Sequence, residues 1–262
     1  MINGLISALA SGDGWSGSGW HFVLVMGLAV VVELVPWGMH SAATAQTESR
    51  LAPELVEDFE SYEAGTFPDQ WVQVGRSRDI IPLEKAIEPN EDFLVKEEGG
   101  NKFARMITKN EALRFSLRNG YEFDWNINVR PRLQWRWRAL ELPEGASEKE
   151  QNDTGGAVYV TFGTDWLGRP KSIKYTYSSS LPVGTVVSFG PLKVIVANSA
   201  VEPRTGEWKT QQRNVVSDYR QVFGDTPPDE PAAITIWSDS DTTGDTAKVD
   251  FDDIKLLPPL RR

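Results

Sequence analysis

The stretch Asp239-Ser240-Asp241-Thr242-Thr243-Gly244 sets oxygen-bearing side chains at alternating positions ahead of a glycine, and Asp250 follows where a closing acidic ligand would stand. That is the pattern of the first half of a calcium loop, in which hard oxygen donors wrap one cation. Thr243 replaces the usual Asp or Asn, Asp250 replaces the usual bidentate Glu, and the flanks have strand rather than helix character. The same residues also make an ordinary hairpin closed by Asx-turns. Structural Ca2+ held by Asp239, Asp241, Thr243 and Asp250 is therefore one reading, and a metal-free turn is the other.

Much other chemistry is excluded by what the chain lacks. It contains no cysteine, and its only histidines, His21 and His40, flank an N-terminal apolar segment. The remainder thus has no disulfide framework, no thiolate nucleophile, no histidine base and no histidine-containing metal site. Carboxylate chemistry, oxygen-ligated metal, or binding without catalysis are left. Net charge is -10, and removing residues 1–45 takes away only Asp13 and Glu33. So acidic a surface argues against nucleic acid and against adhesion to anionic lipid.

The elements that must position these residues read as strands. From Val56 onward, short runs with period-two alternation recur between Gly, Pro, Asn and Asp clusters, with strands expected at 56–60, 71–75, 92–97, 103–107, 112–117, 133–142, 157–163, 172–178, 192–197, 233–238 and 246–257. One short helix is expected after Asn214 as cap, with Val215, Tyr219, Val222 and Phe223 as its apolar stripe and Gly224 as its stop. The fold class is all-β, a two-sheet antiparallel sandwich of jelly-roll type with one short helix. The division is an N-terminal segment at 1–45, a tether at 46–55 and the sandwich at 56–262.

Side chains alternate between the faces of a strand, so parity sorts core from surface. Leu133, Trp135, Trp137, Val158, Val160, Phe162, Ile173, Tyr175, Tyr177, Ile234 and Ile236 form the apolar set suited to the space between sheets. Their alternates include Gln134, Arg136, Arg138, Tyr159, Thr161, Lys174, Thr176, Thr235 and Trp237. If these strands are neighbours, Arg136, Arg138, Tyr159, Lys174 and Trp237 share one outer face. Such a face can stack a sugar ring and hydrogen-bond its hydroxyls, or anchor a protein partner, or simply face water.

The N-terminal segment has an apolar run from Phe22 to Val32, and Ala43-Thr44-Ala45 satisfies the small-x-small rule for signal cleavage. No Lys or Arg precedes Arg50, so the usual basic start is missing. Extended from Trp20 to Met39, with Trp20 and Trp37 near its ends, the segment has the length of a membrane span. Glu33 and Pro36 weaken that span, and a retained Glu33 would point to assembly with other membrane subunits. Either reading sends the sandwich across a membrane. Gly12-Asp13-Gly14-Trp15-Ser16-Gly17 matches a dinucleotide-binding spacing but lacks the strand and helix that give it meaning.

Leu133-Gln134-Trp135-Arg136-Trp137-Arg138, then Asn152-Asp153 before Ala157-Val158-Tyr159-Val160, then Arg213-Asn214-Val215-Val216 with Asp218-Tyr219 and Phe223-Gly224, and finally Asp239-Ser240-Asp241-Thr242-Thr243 occur in this order. Together they resemble a bacterial family of unknown function numbered 3047, over roughly residues 55–257. The resemblance implies an exported β-sandwich and carries over no catalytic residues. Asp58-Phe59-Glu60 with Gly65, Pro68 and Trp71, and Phe251-Asp252-Asp253-Ile254 near the end, are similar to the termini of jelly-roll carbohydrate-binding modules. That similarity implies a second candidate calcium set, Asp58 or Glu60 with Asp252 or Asp253.

The expected function is a non-catalytic β-sandwich on the extracytoplasmic, periplasmic side of a bacterial membrane, anchored if the N-terminal segment is retained. It would be a binding or structural subunit of a membrane-associated assembly, with other subunits as protein partners and the membrane contacted through residues 20–40. The alternatives are a soluble periplasmic carbohydrate-binding module and a carboxylate-dependent carbohydrate-active enzyme.

Overall fold

Strand-forming alternation is realised through most of the chain. The computed structural model describes residues 51–75, 79–87, 92–149, 153–201 and 206–260. The apolar segment and residues 46–50 of the tether lie outside the described residues. Among the described residues, no helix is long and apolar enough to cross a membrane.

In chain order the first elements are β1 (Glu54–Glu57), β2 (Gln73–Val74), β3 (Ile80–Ile81), the one-turn helix α1 (Leu83–Ala86), β4 (Asp92–Glu98), β5 (Asn101–Lys109) and β6 (Ala112–Arg118). Then come β7 (Arg132–Glu141), β8 (Thr154–Thr164), β9 (Pro170–Ser178), β10 (Val186–Phe189), β11 (Leu192–Ser199) and β12 (Lys209–Asn214). Helix α2 (Val215–Phe223) and strands β13 (Ala233–Asp239) and β14 (Thr246–Leu257) complete the fold. The first sheet runs β12-β7-β14-β5-β4, with β1 also on β14; the second runs β10-β11-β9-β8-β13-β6. β2 and β3 form a separate small ribbon.

The sandwich is antiparallel with one exception. β11 pairs with β9 in parallel, and β10 pairs with β11 in an antiparallel hairpin. The chain leaves β9, passes over the neighbouring position to make edge strand β10, and turns back to fill the gap with β11. Three strands and a second helix escaped the sequence reading for physical reasons: β3 has two residues and α1 a single turn, too short to show a period. β10 is a four-residue edge strand, and β12, Lys-Thr-Gln-Gln-Arg-Asn, has no apolar residue to mark an inner face.

The expected core set is buried between the two sheets, and rings carry much of it. Trp135 packs on Tyr175 at 5.3 Å between centroids and Trp137 on Tyr177 at 5.5 Å. Burying each such ring contributes about 1.5–3 kcal/mol. The sheets approach so closely at β8 that a Cβ on Gly156 would stand 2.8 Å from Val249 Cγ1. Helix α2 starts and stops as expected: Asn214 Oδ1 accepts from the Ser217 amide at 3.0 Å, and Gly224 takes the left-handed conformation with φ 70°. Asp218 in its first turn accepts from Tyr175 Oη and Arg213, fastening the helix to both sheets.

Candidate functional site

The sheet assignment corrects the single outer face expected from parity. Arg136 and Arg138 stand on β7 in the first sheet, whereas Tyr159, Lys174 and Trp237 stand on β8, β9 and β13 in the second. These groups are on opposite outer surfaces of the sandwich. Parity fixes the side of a strand on which a residue lies but not the sheet to which the strand belongs.

On the first sheet the outer residues are neutralised by one another. Asp250, fully buried, accepts from Arg105 Nε at 2.6 Å and from Arg138 Nε at 2.9 Å, each guanidinium adding a second bond through Nη2. Asp252 accepts from Arg136 at 2.6 Å and from Asn101 at 3.0 Å. Burial raises the Asp252 pKa against the pull of Asn101 and Arg136. Trp208 lies over both Arg136 and Arg138, at 4.5 and 4.8 Å from ring centre to guanidinium carbon. Nothing in its sequence neighbourhood marked Trp208 as a partner of these arginines; the pairing of β12 with β7 puts it there.

The candidate calcium ligands separate accordingly. Asp250 cannot close a loop with Asp239, because it faces outward on the first sheet, tied to two arginines. Thr243 is spent within the turn: its hydroxyl accepts from the Asp245 amide at 3.4 Å, and Asp153 accepts from Thr242 N at 3.1 Å and Thr243 N at 2.7 Å. Asp153, Asp239 and Asp241 do bring carboxylate oxygens within 4.8 Å of one another. Asp153, which the pattern did not include, is already committed through both oxygens, and the Lys174 charge acts on Asp239, Asp153 and Glu148. This donor set fits a stapled turn balanced by a lysine better than a cation cage. In the second set, Asp58 accepts from Glu60 N, Glu60 Oε1 from Lys102 N, and Asp252 from Asn101 and Arg136. The termini meet as expected, but around Asn101, Lys102 and Arg136 rather than around open carboxylates.

The second sheet's outer face is built differently. Its register places Arg114, Trp237, Ala157 and Thr176 along one rung and Ser116, Thr235, Tyr159 and Lys174 along the next. Trp237 and Tyr159 stack at 5.3 Å with 27° between planes. Lys174 Nζ lies 5.6 Å from the Tyr159 ring centre and 5.5 Å from that of Trp237; Arg114 lies 5.4 Å from Trp237. Trp237 is half-buried and Arg114 exposed, while Tyr159, Thr176 and Lys174 are buried, Lys174 at 2%.

Polar atoms on this face lack partners. Trp237 Nε1 and Thr176 Oγ1 are buried without a hydrogen bond, whereas on the next rung the Ser116 and Thr235 hydroxyls pair at 2.7 Å. Burial pushes Lys174 down to about 8, Asp239 offsetting part of the drop. Burial pushes Asp239 up to about 6, with Lys174 opposing. Arg114 and Asp239 belong to the face yet were not among its expected residues; the pairing of β6 and β13 brings in the arginine.

A cleft of about 610 Å³ lies elsewhere, lined by Glu54, Asn119, Asp124, Trp125 and Arg130 among others. Its polar groups are largely internal fastenings: Arg130 pairs with Glu54 at 2.8 Å, and Asn119 donates to the Trp125 and Pro231 carbonyls.

Residues 81–255 match the family model described as protein of unknown function, DUF3047. The chain belongs to this family. No curated protein matches it. Among solved structures, DUF3047 architecture here is similar to the family 11 carbohydrate-binding module of cellulosomal cellulase Lic26A-Cel5E of Clostridium thermocellum, at 11% identity and TM-score 0.42, covering 82% of this chain and 99% of that one. The family 30 module of cellulosomal cellulase Cel9D-Cel44B of Clostridium thermocellum is similar at 13% identity and TM-score 0.39, covering 73% and 92%. The exolytic PL7 alginate lyase AlyA5 from Zobellia galactanivorans gives 10% identity and TM-score 0.35, over 74% and 96%. Likeness this distant concerns architecture and lends no ligand to the chain.

Proposed function

We propose that this protein is a non-catalytic, extracytoplasmic glycan-binding β-sandwich whose binding surface is the outer face of the second sheet. One observation carries the reading: a stacked Trp237–Tyr159 pair shares a face with a buried indole N–H and a buried threonine hydroxyl that have no partner within the protein. An unpaired buried polar group costs about 1–3 kcal/mol, which a ligand's hydrogen bond restores. A sugar presents C–H faces to the rings and hydroxyls that both donate and accept. Lys174 and Trp237 Nε1 supply donors, Asp239 an acceptor and Thr176 either.

The assembly-subunit reading rested on the same five outer residues, of which Arg136 and Arg138 are held by Asp252, Asp250 and Trp208 on the other sheet. It keeps as support the N-terminal segment. Hydrolysis by paired carboxylates is less favoured, because Asp153 in the acidic group spends both oxygens on backbone amides.

Calorimetric titration with a broad panel of neutral and acidic oligosaccharides tests the glycan reading. Binding by at least one, with affinity lost in Trp237→Ala while unfolding stays cooperative, is the expected result. Silence across the panel, or binding indifferent to Trp237→Ala, overturns it.

A further inference from the structure

The β8–β9 hairpin tip exposes apolar groups on a rigid turn. Trp166 is 88% exposed and Leu167 55%. The loop that carries them is fixed: Asp165 accepts from the Leu167 amide at 3.0 Å and the Arg169 amide at 2.8 Å, and pairs with the Arg169 guanidinium. Gly168 completes the turn with φ 76°. A soluble loop gains nothing from holding an indole in water, and its order means that presenting it costs no further ordering.

The surroundings indicate what covers it. The β10–β11 turn stands beside the tip, since the Ser172 amide donates to Pro191 O and a Cβ on Gly190 would lie 3.7 Å from Arg169 Nη1. That turn adds Phe189, 40% exposed. Arg169 is itself largely exposed, and Lys171 and Lys193, half-buried at the same end, both lie over the Phe223 ring. Asp165 is the acid of the tip and is spent on Arg169.

We infer that this tip inserts into the headgroup layer of a bilayer containing anionic lipid, with Trp166 and Leu167 as the inserted pair and Lys171 and Lys193 meeting phosphates. Tryptophan is at home at that depth, with its ring in the apolar boundary and its N–H hydrated, and each basic residue near an anionic surface adds attraction. The acidity of the molecule as a whole does not oppose this, because charge beyond a Debye length of about 8–10 Å is screened. The inference is independent of whether residues 1–45 are retained and of the glycan reading.

The absence of cysteine makes the test clean. Full-length Trp166→Cys carries an environment-sensitive fluorophore, and Glu144→Cys provides a control at the opposite end of β8, roughly 30 Å away along the strand. Vesicles of phosphatidylcholine with phosphatidylglycerol should shift emission to the blue and raise its intensity at position 166 but not at 144, with a smaller response in phosphatidylcholine alone. Because the label replaces the indole, depth-dependent quenching by brominated lipid is measured on unlabelled protein, and the quenched fraction should fall in Trp166→Ala. No shift at 166, equal shifts at both positions, a concentration-dependent shift without lipid, or quenching unchanged by Trp166→Ala each overturns the inference, the third in favour of self-association.

Discussion

The two outer faces of this sandwich hold similar residue types and do opposite things with them. On the first sheet, Arg105, Arg136 and Arg138 meet Asp250 and Asp252 at hydrogen-bond distance, and Trp208 lies on two of the guanidiniums. On the second, Lys174 and Arg114 border the Trp237–Tyr159 pair, while an indole N–H and a hydroxyl stay unpaired. The first array is charge-paired, with Arg136 Nε its one buried atom without a partner among the described residues, and such pairing serves stability and leaves little for a ligand. Unsaturated polar atoms beside a half-buried indole are a cost that folding alone does not recover.

The strongest break of this contrast is Asp250→Ala. It removes the shared acceptor of two guanidiniums, one of them nearly buried, and should destabilise by about 3–5 kcal/mol in urea unfolding. If Asp250→Ala costs under 1 kcal/mol, the first face is not the structural one. Trp237→Ala, the counterpart on the second face, should weaken glycan binding at least about tenfold while leaving a cooperative fold, as aromatic anchors at binding surfaces do.

Titration sharpens the comparison. Asp239 has a folded pKa of about 6, raised from 3.8, so its stabilising contribution is complete below about 4 and lost as pH rises through 6. Lys174, lowered from 10.5 to about 8, contributes stability above about 10.5 that is lost as pH falls through 8. Each effect should be on the order of 1–3 kcal/mol. Stability should therefore fall between about pH 4 and 6 and recover above about 8, with the first change absent in Asp239→Asn and the second in Lys174→Met. Urea midpoints across pH measure this, and a profile identical in wild type and Asp239→Asn contradicts it. The smallest effect is expected for Thr176→Val. Exchanging an unpaired buried hydroxyl for a methyl should leave stability within about 1 kcal/mol or improve it, and should weaken glycan binding. A loss above about 2 kcal/mol would mean that the hydroxyl is structural.

Much was legible along the chain because it is set locally. Period-two alternation named the inward apolar residues from Leu133 to Ile236, and the Asn214 cap and Gly224 stop bounded α2, because burial side and helix termini depend on near neighbours in sequence. The absence of histidine and cysteine beyond the N-terminal segment removed whole classes of chemistry. Strand partnership is a long-range choice, and only the tertiary structure made it. It placed Arg136 and Arg138 opposite Asp252 and Asp250 and away from Tyr159, Lys174 and Trp237, and it drew Asp250 out of the apparent calcium loop while supplying Asp153 to that turn. Polar β12 and four-residue β10 became strands because neighbouring edges offered unpaired amides and carbonyls, a driving force that leaves no apolar pattern in sequence.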